Sequence, residues 1–541
     1  MQHPRLSADL QAQLVAVVGA EHLLLDEQIH GYLADTLGSR RQLLGVVRPA
    51  STGQVQAVVR LAGDHGLPLY PISSGRNWGY GSALPVTDGC LLVDLSRMKR
   101  ILHLDPDLAL LTVEPGVTQG DLWRHLQQQP RRFLVPVTGA GPDCSLIGNA
   151  LERGYGITPV ADHCAAIQSL EAVLPDGTLY RGALATLGHD EIEGCFKWGI
   201  GPHLDGLFNQ SNLGIVTRMT FQLVPEPQSM LALYFWLDDD QKLAAAVQAI
   251  QQLLHRLPGL LGGVNLMNSR RLLSMMEPYP HEQIAPDGIM SDALVQQLAR
   301  RNRVSAWMGF GALYGEKPLL RAARKVIARQ LKGVASRTLF LAPSTIHRLL
   351  PWTQRLPGAP GRHLAGLVET LDRSLRVVAG EPSEIALPLA YWRSRQPLPA
   401  GDYHPARDGC GLIWYAPLVP MRPEAVARYR EMVERICPEH GIEPLITFTS
   451  ISPRCFDSTV PILFDRSDAV ATARARACYD ALLAAGRQQG FFPYRLHVDA
   501  MSALIDADTP HWRMALKIKQ ALDPQGIIAP GRYAPLGESD S

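Results

Sequence analysis

The order of segment types along the chain predicts an α+β protein: a strand-rich first part, a helix-rich middle and a short C-terminal piece. Three observations carry this. Short β-prone apolar runs follow one another ahead of residue 226. At Pro225-Glu226-Pro227 the texture changes, and the helical runs beyond it are longer. Gly (47) and Pro (41) are both abundant, as expected of many turns between strands rather than a helical bundle.

The first 45 residues read as helical, with apolar spacing clearest over Leu10–Val18. Val55, Val58, Val59 and Leu61 suit a helix over Gln54–Ala62, capped by Ser51 or Thr52. Leu67–Tyr70, Cys90–Leu95 and Leu108–Val113 read as strands, with Pro68 tolerable only at a strand start or edge. Gln119–Gln129 is helical. Ser169–Leu174 and Thr178–Arg181 flank Pro175-Asp176-Gly177 as a hairpin. Beyond residue 226, helices are predicted over Gln241–Leu257, Ser291–Arg301, Leu319–Leu331 and Arg422–Cys437, and strands at Gly411–Tyr415 and Leu445–Thr449.

The chain has 541 residues with 52 Lys+Arg and 51 Asp+Glu, a formal net charge of +1. So balanced a charge excludes the basic surface that nucleic acid or an anionic membrane requires. Hydrophobic residues make up 46%, enough for a large core. The 8 cysteines include no C-x-x-C pair, which excludes a zinc ribbon or a thioredoxin-type motif; no metal site is predicted. No apolar run approaches a membrane span and no secretory signal is visible, so the expected compartment is the cytoplasm.

The densest glycine signal is Pro71-Ile72-Ser73-Ser74-Gly75-Arg76-Asn77-Trp78-Gly79-Tyr80-Gly81, between two predicted strands. Glycines let a backbone approach an anion closely, and successive N–H groups form a nest for it. Ser73, Ser74 and Asn77 add donors, so a pyrophosphate is a natural guest. Neither a dinucleotide-binding G-x-G-x-x-G opening a helix nor a Gly-Lys-Ser/Thr loop is present. Two further glycine-punctuated segments, Ser145–Pro159 and Asp205–Thr217, suit a long cofactor lying extended across several loops.

The first loop resembles the vanillyl-alcohol oxidase / p-cresol methylhydroxylase flavoproteins when taken with several other segments. These are Val113-Glu114-Pro115-Gly116-Val117-Thr118, Gly148-Asn149, Glu152-Arg153-Gly154, Gly201–Phe208, Ser211–Thr217 and the terminal Leu522–Arg532. Gly311–Gly315 and Leu445–Thr449 resemble the cap region of that family. The resemblance implies FAD in a two-part, PCMH-type FAD-binding domain, formed by residues 1–225 and completed by a tail at 491–541. An α+β cap or substrate domain, 226–490, lies between. It implies that Pro71, Ile72, Ser73, Ser74, Gly75, Arg76 and Asn77 hold the pyrophosphate. Ser145, Gly148, Asn149, Glu152, Gly154 and Ile157 line the flavin and ribityl chain, with His163 close by. Ile215 meets the adenine side and Arg532 lies near the cofactor. A homodimer is the family's common assembly.

Three departures from the family bear on the chemistry. Its phenol oxidases hold a phenolate with two tyrosines and an arginine. Tyr494-Arg495 match one tyrosine and the arginine, whereas the second tyrosine's place is Gln119, which cannot share a proton with a phenol. Arg495 otherwise reads as a structural ion pair. An active-site aspartate of the family falls on Ala140; Asp143 is the nearest substitute, or else a solvated turn residue. A cap histidine that tethers the flavin falls on Leu412 or Gly411, so non-covalent FAD is predicted, with Cys410 and Tyr415 the chemically capable neighbours. Tyr494, His497, Asp143 and His163 are candidates for proton removal, and either histidine equally suits a packing role.

The expectation is therefore an FAD-dependent oxidase or dehydrogenase. It takes hydride from a carbon next to O or N, or from a benzylic carbon, of a small molecule other than a simple para-alkylphenol. Oxygen or another acceptor reoxidises the flavin. The alternatives are an ordinary 4-substituted phenol oxidase and a flavin subunit passing electrons to a partner such as a cytochrome.

Overall fold

A computed structural model describes residues 5–534 except 189, 286–287, 354 and 356–357. Its N-terminal part is built on two larger sheets, besides the short pair Phe133–Leu134 and Val224–Pro225. In the first, Leu43–Val47 and Leu69–Ile72 both pair in parallel with Cys90–Asp94, and Leu23–Leu24 adds an antiparallel edge. Helix Thr52–His65 makes the parallel crossover; Ser51 caps it by accepting from Gln54 N–H, and Gly66 ends it in the left-handed region. Its face Val55, Val58, Val59 and Ala62 is wholly buried, in a core shared with Val46, Leu69 and Leu91–Val93.

The second sheet is antiparallel, ordered Ile101–Asp105, Leu110–Val113, Ile215–Gln222, Ile167–Val173 and Leu179–Arg181. The hairpin around Pro175-Asp176-Gly177 forms as predicted, with Asp176 accepting from Thr178. The helix predicted to reach Gln129 stops at Leu126, ahead of the Pro130 that cannot continue it.

The middle of the chain builds a nine-stranded antiparallel sheet that includes Ser229–Leu237, Trp307–Gly315, Leu261–Asn268, Thr447–Ser452 and Cys455–Asp465. Helices Leu243–Arg256, Lys317–Gln330, Pro423–Glu439 and Ala469–Gln489 pack their apolar sides into the core this sheet shares. The last strand, Phe492–Pro493, pairs with Pro417–Leu418 and delivers the chain to Tyr494.

The chain then returns to the first sheet. Leu69 N–H donates to Ile527 O and Ala529 N–H to Leu69 O, each at 2.7 Å, so the tail lies as an added strand beside Leu69–Ile72. The loop after that strand is clamped between tail and cap. A Cβ on Gly79 (φ +78°) would sit 2.2 Å from the Trp414 ring, and one on Gly81 (φ +118°) 2.5 Å from Val498, so only glycine permits this approach. Among the described residues no helix is long and apolar enough to cross a membrane.

Candidate active site

A cavity of about 400 Å³ opens where the glycine loops of the N-terminal part meet the cap. One wall is Tyr70–Trp78, Cys144–Tyr155 and residues of Ser211–Val216; the other carries Arg271, Leu387, Leu389, Leu412, Trp414 and Thr459. Tyr494, Arg495 and Arg532 close it from the tail.

The loop wall is shaped by local rules. Strand Leu69–Ile72 ends at the cavity, and the loop beyond turns its backbone inward. Among the described residues, the N–H groups of Ser74, Gly75, Arg76 and Asn77 have no protein acceptor. Such a run of free donors is a nest for an anion. Ser145 caps helix Leu146–Leu151: its Oγ accepts from Gly148 N–H at 3.0 Å and donates to Pro115 O at 2.7 Å. A Cβ on Gly148 would lie 3.2 Å from Ser73 Oγ, so the two segments meet closely here. Gly154 likewise makes room for the Asn149 amide, whose oxygen stands 2.0 Å from where a Cβ would be.

Behind this wall Asn149 Nδ2 donates to His163 Nδ1 at 2.6 Å. Burial pushes the His163 pKa down to about 4, so the ring is neutral, and its Nε2 has no partner. His163 therefore positions Asn149 and does not line the cavity.

Glu152 is the electrostatic hub. It is 6% exposed and pairs with Arg495 at 3.2 Å and with Arg532; Tyr533 Oη also donates to it at 3.3 Å. Arg532 further reaches Tyr70 Oη at 3.1 Å and Ser211 O at 3.2 Å. Arg495 donates to Asn77 and stacks 4.3 Å from the centre of the Tyr80 ring. Two guanidiniums share one carboxylate, so the hub keeps a net charge of 2 − 1 = +1 beside the cavity.

Tyrosines gather against this charge. Tyr80 and Tyr494 line the cavity side by side, and the Tyr155 ring lies edge-on to Tyr494 with centroids 5.7 Å apart. Gln210 Nε2 and the Ala416 carbonyl hold the Tyr494 backbone at 2.9 and 3.2 Å. Burial is the main influence that raises the Tyr494 pKa to about 12 and those of Tyr80 and Tyr155 well above the usual tyrosine value. All three are neutral hydroxyl donors at ordinary pH. Tyr155 donates to Asp457, a fully buried carboxyl whose pKa burial raises to about 7. Thr459, two places further along the same strand and hence on the same face, reaches the cavity.

Several residues expected at the reaction centre have other jobs. Gln119 is fully used: Nε2 donates to Thr138 Oγ1 and Gly141 O, and Oε1 accepts from Thr138 N–H at 2.8 Å. It pins the 138–141 turn and does not face the cavity. The Asp143 side chain is 69% exposed and pairs with Arg76 at 3.2 Å on the rim. His497 lies edge-on to Tyr479 at 4.3 Å, with its pKa lowered to about 4 by burial, so it is a packing histidine. Ile157 backs onto Gly262 and Gly263, and Ile215 is sunk in the first sheet's core; their neighbours Tyr155, Gly214 and Val216 line the cavity in their place. Sequence reasoning passed over Tyr80, Tyr155, Asp457 and Arg271. Asp457 had one signal, a lone acid inside the β-prone run Cys455–Phe464.

The nest, the close-approach glycines and a buried Trp78 Nε1 with no partner suit a ligand that is both anionic and aromatic, as FAD is. The comparisons agree. Residues 43–183 match the FAD binding domain family. The chain is 36% identical to 1'-carboxy-chondrochloren decarboxylase of Chondromyces crocatus over 96% of this chain and 95% of that protein. It is 28% identical to the flavoprotein subunit of 4-cresol dehydrogenase (hydroxylating) of Pseudomonas putida, over 90% of this chain and 87% of that one. The structure of 4-ethylphenol oxidase from Gulosibacter chungangensis superposes with a TM-score of 0.87 at 26% identity, covering 98% of both chains. The protein is an FAD-dependent oxidoreductase. It belongs to the PCMH-type family, that of vanillyl-alcohol oxidase and p-cresol methylhydroxylase.

Proposed function

We propose that the enzyme oxidises a phenol-bearing small molecule, larger than a simple para-alkylphenol, at its benzylic carbon. The observation that carries this is the Tyr80–Tyr494 pair beside Arg495, all lining the same cavity as the glycine loops. Tyr80 supplies the second tyrosine that Gln119 does not. The relatives support the reading, since two are named for phenols, 4-cresol and 4-ethylphenol, and a third for a carboxy-bearing substrate.

In this reading Pro71–Asn77 hold the pyrophosphate of FAD through free N–H groups, with Ser145, Gly148, Asn149 and Gly154 along the flavin and Arg532 near it. Bound FAD supplies a hydride acceptor. The chain's own part is to orient and to stabilise charge. The Tyr494 hydroxyl donates to the phenol oxygen with Tyr80 supporting it from behind, and the surplus positive charge of the Glu152 hub favours its phenolate. Asp457, reached through the Tyr155 hydroxyl, is a proton acceptor poised near neutrality.

Anaerobic addition of a larger phenol, 3-(4-hydroxyphenyl)propan-1-ol, to the FAD-loaded enzyme is expected to bleach the flavin, and its phenolic methyl ether to do so at least about a hundredfold more slowly, with Tyr494→Phe slowing the phenol by a similar factor. Equal bleaching by phenol and ether would overturn the reading.

Non-covalent FAD follows from the same wall. Leu412 lines the cavity, whereas Cys410 is fully buried with its thiol pKa raised to about 12, and Tyr415 donates to Leu482 O inside the core. Acid precipitation is expected to leave the yellow colour in the supernatant; a yellow pellet would refute it.

A further inference from the structure

Helix Ser269–Met276 begins with Asn268 as its cap, and its second and third residues are arginines with opposite fates. Arg270 is satisfied: it pairs with Glu443 at 2.8 Å and Asp292 at 2.7 Å, and donates to Met290 O at 2.9 Å. Among the described residues the Arg271 guanidinium donates only to Ser274 Oγ, at 3.1 Å, and the side chain lines the cavity. Among the described residues no carboxylate forms an ion pair with it. Burial alone acts on its charge, drawing its pKa down to about 10. The helix packs against the segment Leu387–Tyr391, whose Leu387, Leu389 and Ala390 form the apolar wall around it.

A half-buried guanidinium with no counter-ion, set among apolar groups on a cavity wall, is matched by a planar, two-oxygen anion. Glu152 cannot serve, since it already carries Arg495 and Arg532. We propose that Arg271 is the specificity residue for a carboxylate on the substrate, so that the enzyme takes phenolic carboxylic acids. Arg271 grips the acid from the cap while Tyr494 and Tyr80 hold the phenol. This rests on the phenol reading above for the other end of the molecule.

The test uses ligands without a benzylic sp³ carbon, so that nothing is oxidised during titration. 4-Hydroxycinnamate, its amide, cinnamate and cinnamamide are added to the FAD-loaded enzyme, and the change in the flavin spectrum gives each Kd. The hydroxy acid is expected to bind at least about tenfold tighter than its amide. In Arg271→Gln that ratio falls to near one while the amide's Kd changes less than about twofold; Arg271→Lys keeps part of the preference. The unliganded flavin spectrum and FAD affinity are expected to be unchanged in both variants.

Equal binding of acid and amide by the wild type overturns the proposal, as does an acid preference that survives Arg271→Gln. A variant that loses FAD or shifts the unliganded spectrum while keeping the preference assigns Arg271 to the cofactor instead. The phenol reading fails separately: there, cinnamate binds as tightly as 4-hydroxycinnamate whatever the acid-to-amide ratio. No response to any of the four ligands overturns both.

Discussion

The two walls of the cavity are built in different ways. The loop wall works through backbone: free N–H groups at Ser74–Asn77, a serine cap at Ser145 and close approaches at Gly148 and Gly154, each set within a short run of sequence. The cap wall works through single side chains gathered from distant places, Arg271, Leu387, Leu412 and Trp414. Backbone recognition asks little of a sequence beyond glycines and small polar residues, so a fold can keep its cofactor while its substrate changes. The cap wall is where the chemistry of one substrate is written, and one exchange there changes a contact without disturbing the fold.

The seam between the walls is Glu152, where the two designs depend on each other. Removing it leaves Arg495 and Arg532 without a carboxylate beside a buried tyrosine cluster. Breaking a buried ionic group from one side costs about 3–5 kcal/mol. Glu152→Ala is expected to lower stability by about that much in denaturant titration of the holoenzyme, and to loosen FAD with it. A loss under about 1 kcal/mol would show the walls to be independent.

The same contrast explains what could be read in advance. The helix caps at Ser51 and Ser291 and the Asp176-Gly177 turn act within a few residues, so the helix over Asp292–Asn302 was legible to within one residue and that over Thr52–His65 to within three. The free N–H groups of the first loop were legible because glycine and serine spacing reports backbone geometry directly. Residues tied to the family's substrate chemistry were harder. Gln119 and His497 sit at suggestive positions, but each is spent on a neighbour that only tertiary packing supplies, Thr138 and Tyr479. Arg270 and Arg271 are adjacent and chemically identical; that one meets Glu443 and the other lines the cavity is decided 173 residues away in sequence. Tyr80 was inside the quoted loop yet read as part of the turn, because nothing local shows that it meets Tyr494.

The smallest expected effect concerns Asp457, which belongs to the cap sheet but acts through Tyr155 of the loop wall. Burial raises its pKa from 3.8 to about 7, with the Tyr155 hydrogen bond pulling the other way. Between those two values the folded protein holds a proton that the unfolded chain has released. Stability contributed by this group is therefore fully present below about pH 4 and is lost as pH rises towards 7, by no more than about 1.4 kcal/mol per unit, the limit for one proton. Asp457→Asn keeps an acceptor for Tyr155 and removes the titration. Measured against wild type, the variant is expected to gain relative stability between pH 5 and 7, on the order of 1 kcal/mol once relaxation around the carboxylate is allowed for. If Asp457 also takes the proton that passes through Tyr155, the wild-type rate of flavin reduction rises with pH through a limb near pH 7, because only the carboxylate accepts a proton; the variant lacks the limb and stays slow at high pH. A limb that persists in Asp457→Asn would move the proton acceptor elsewhere and leave Asp457 as a structural partner of Tyr155. That outcome would return the proton chemistry wholly to the loop wall and its tyrosines.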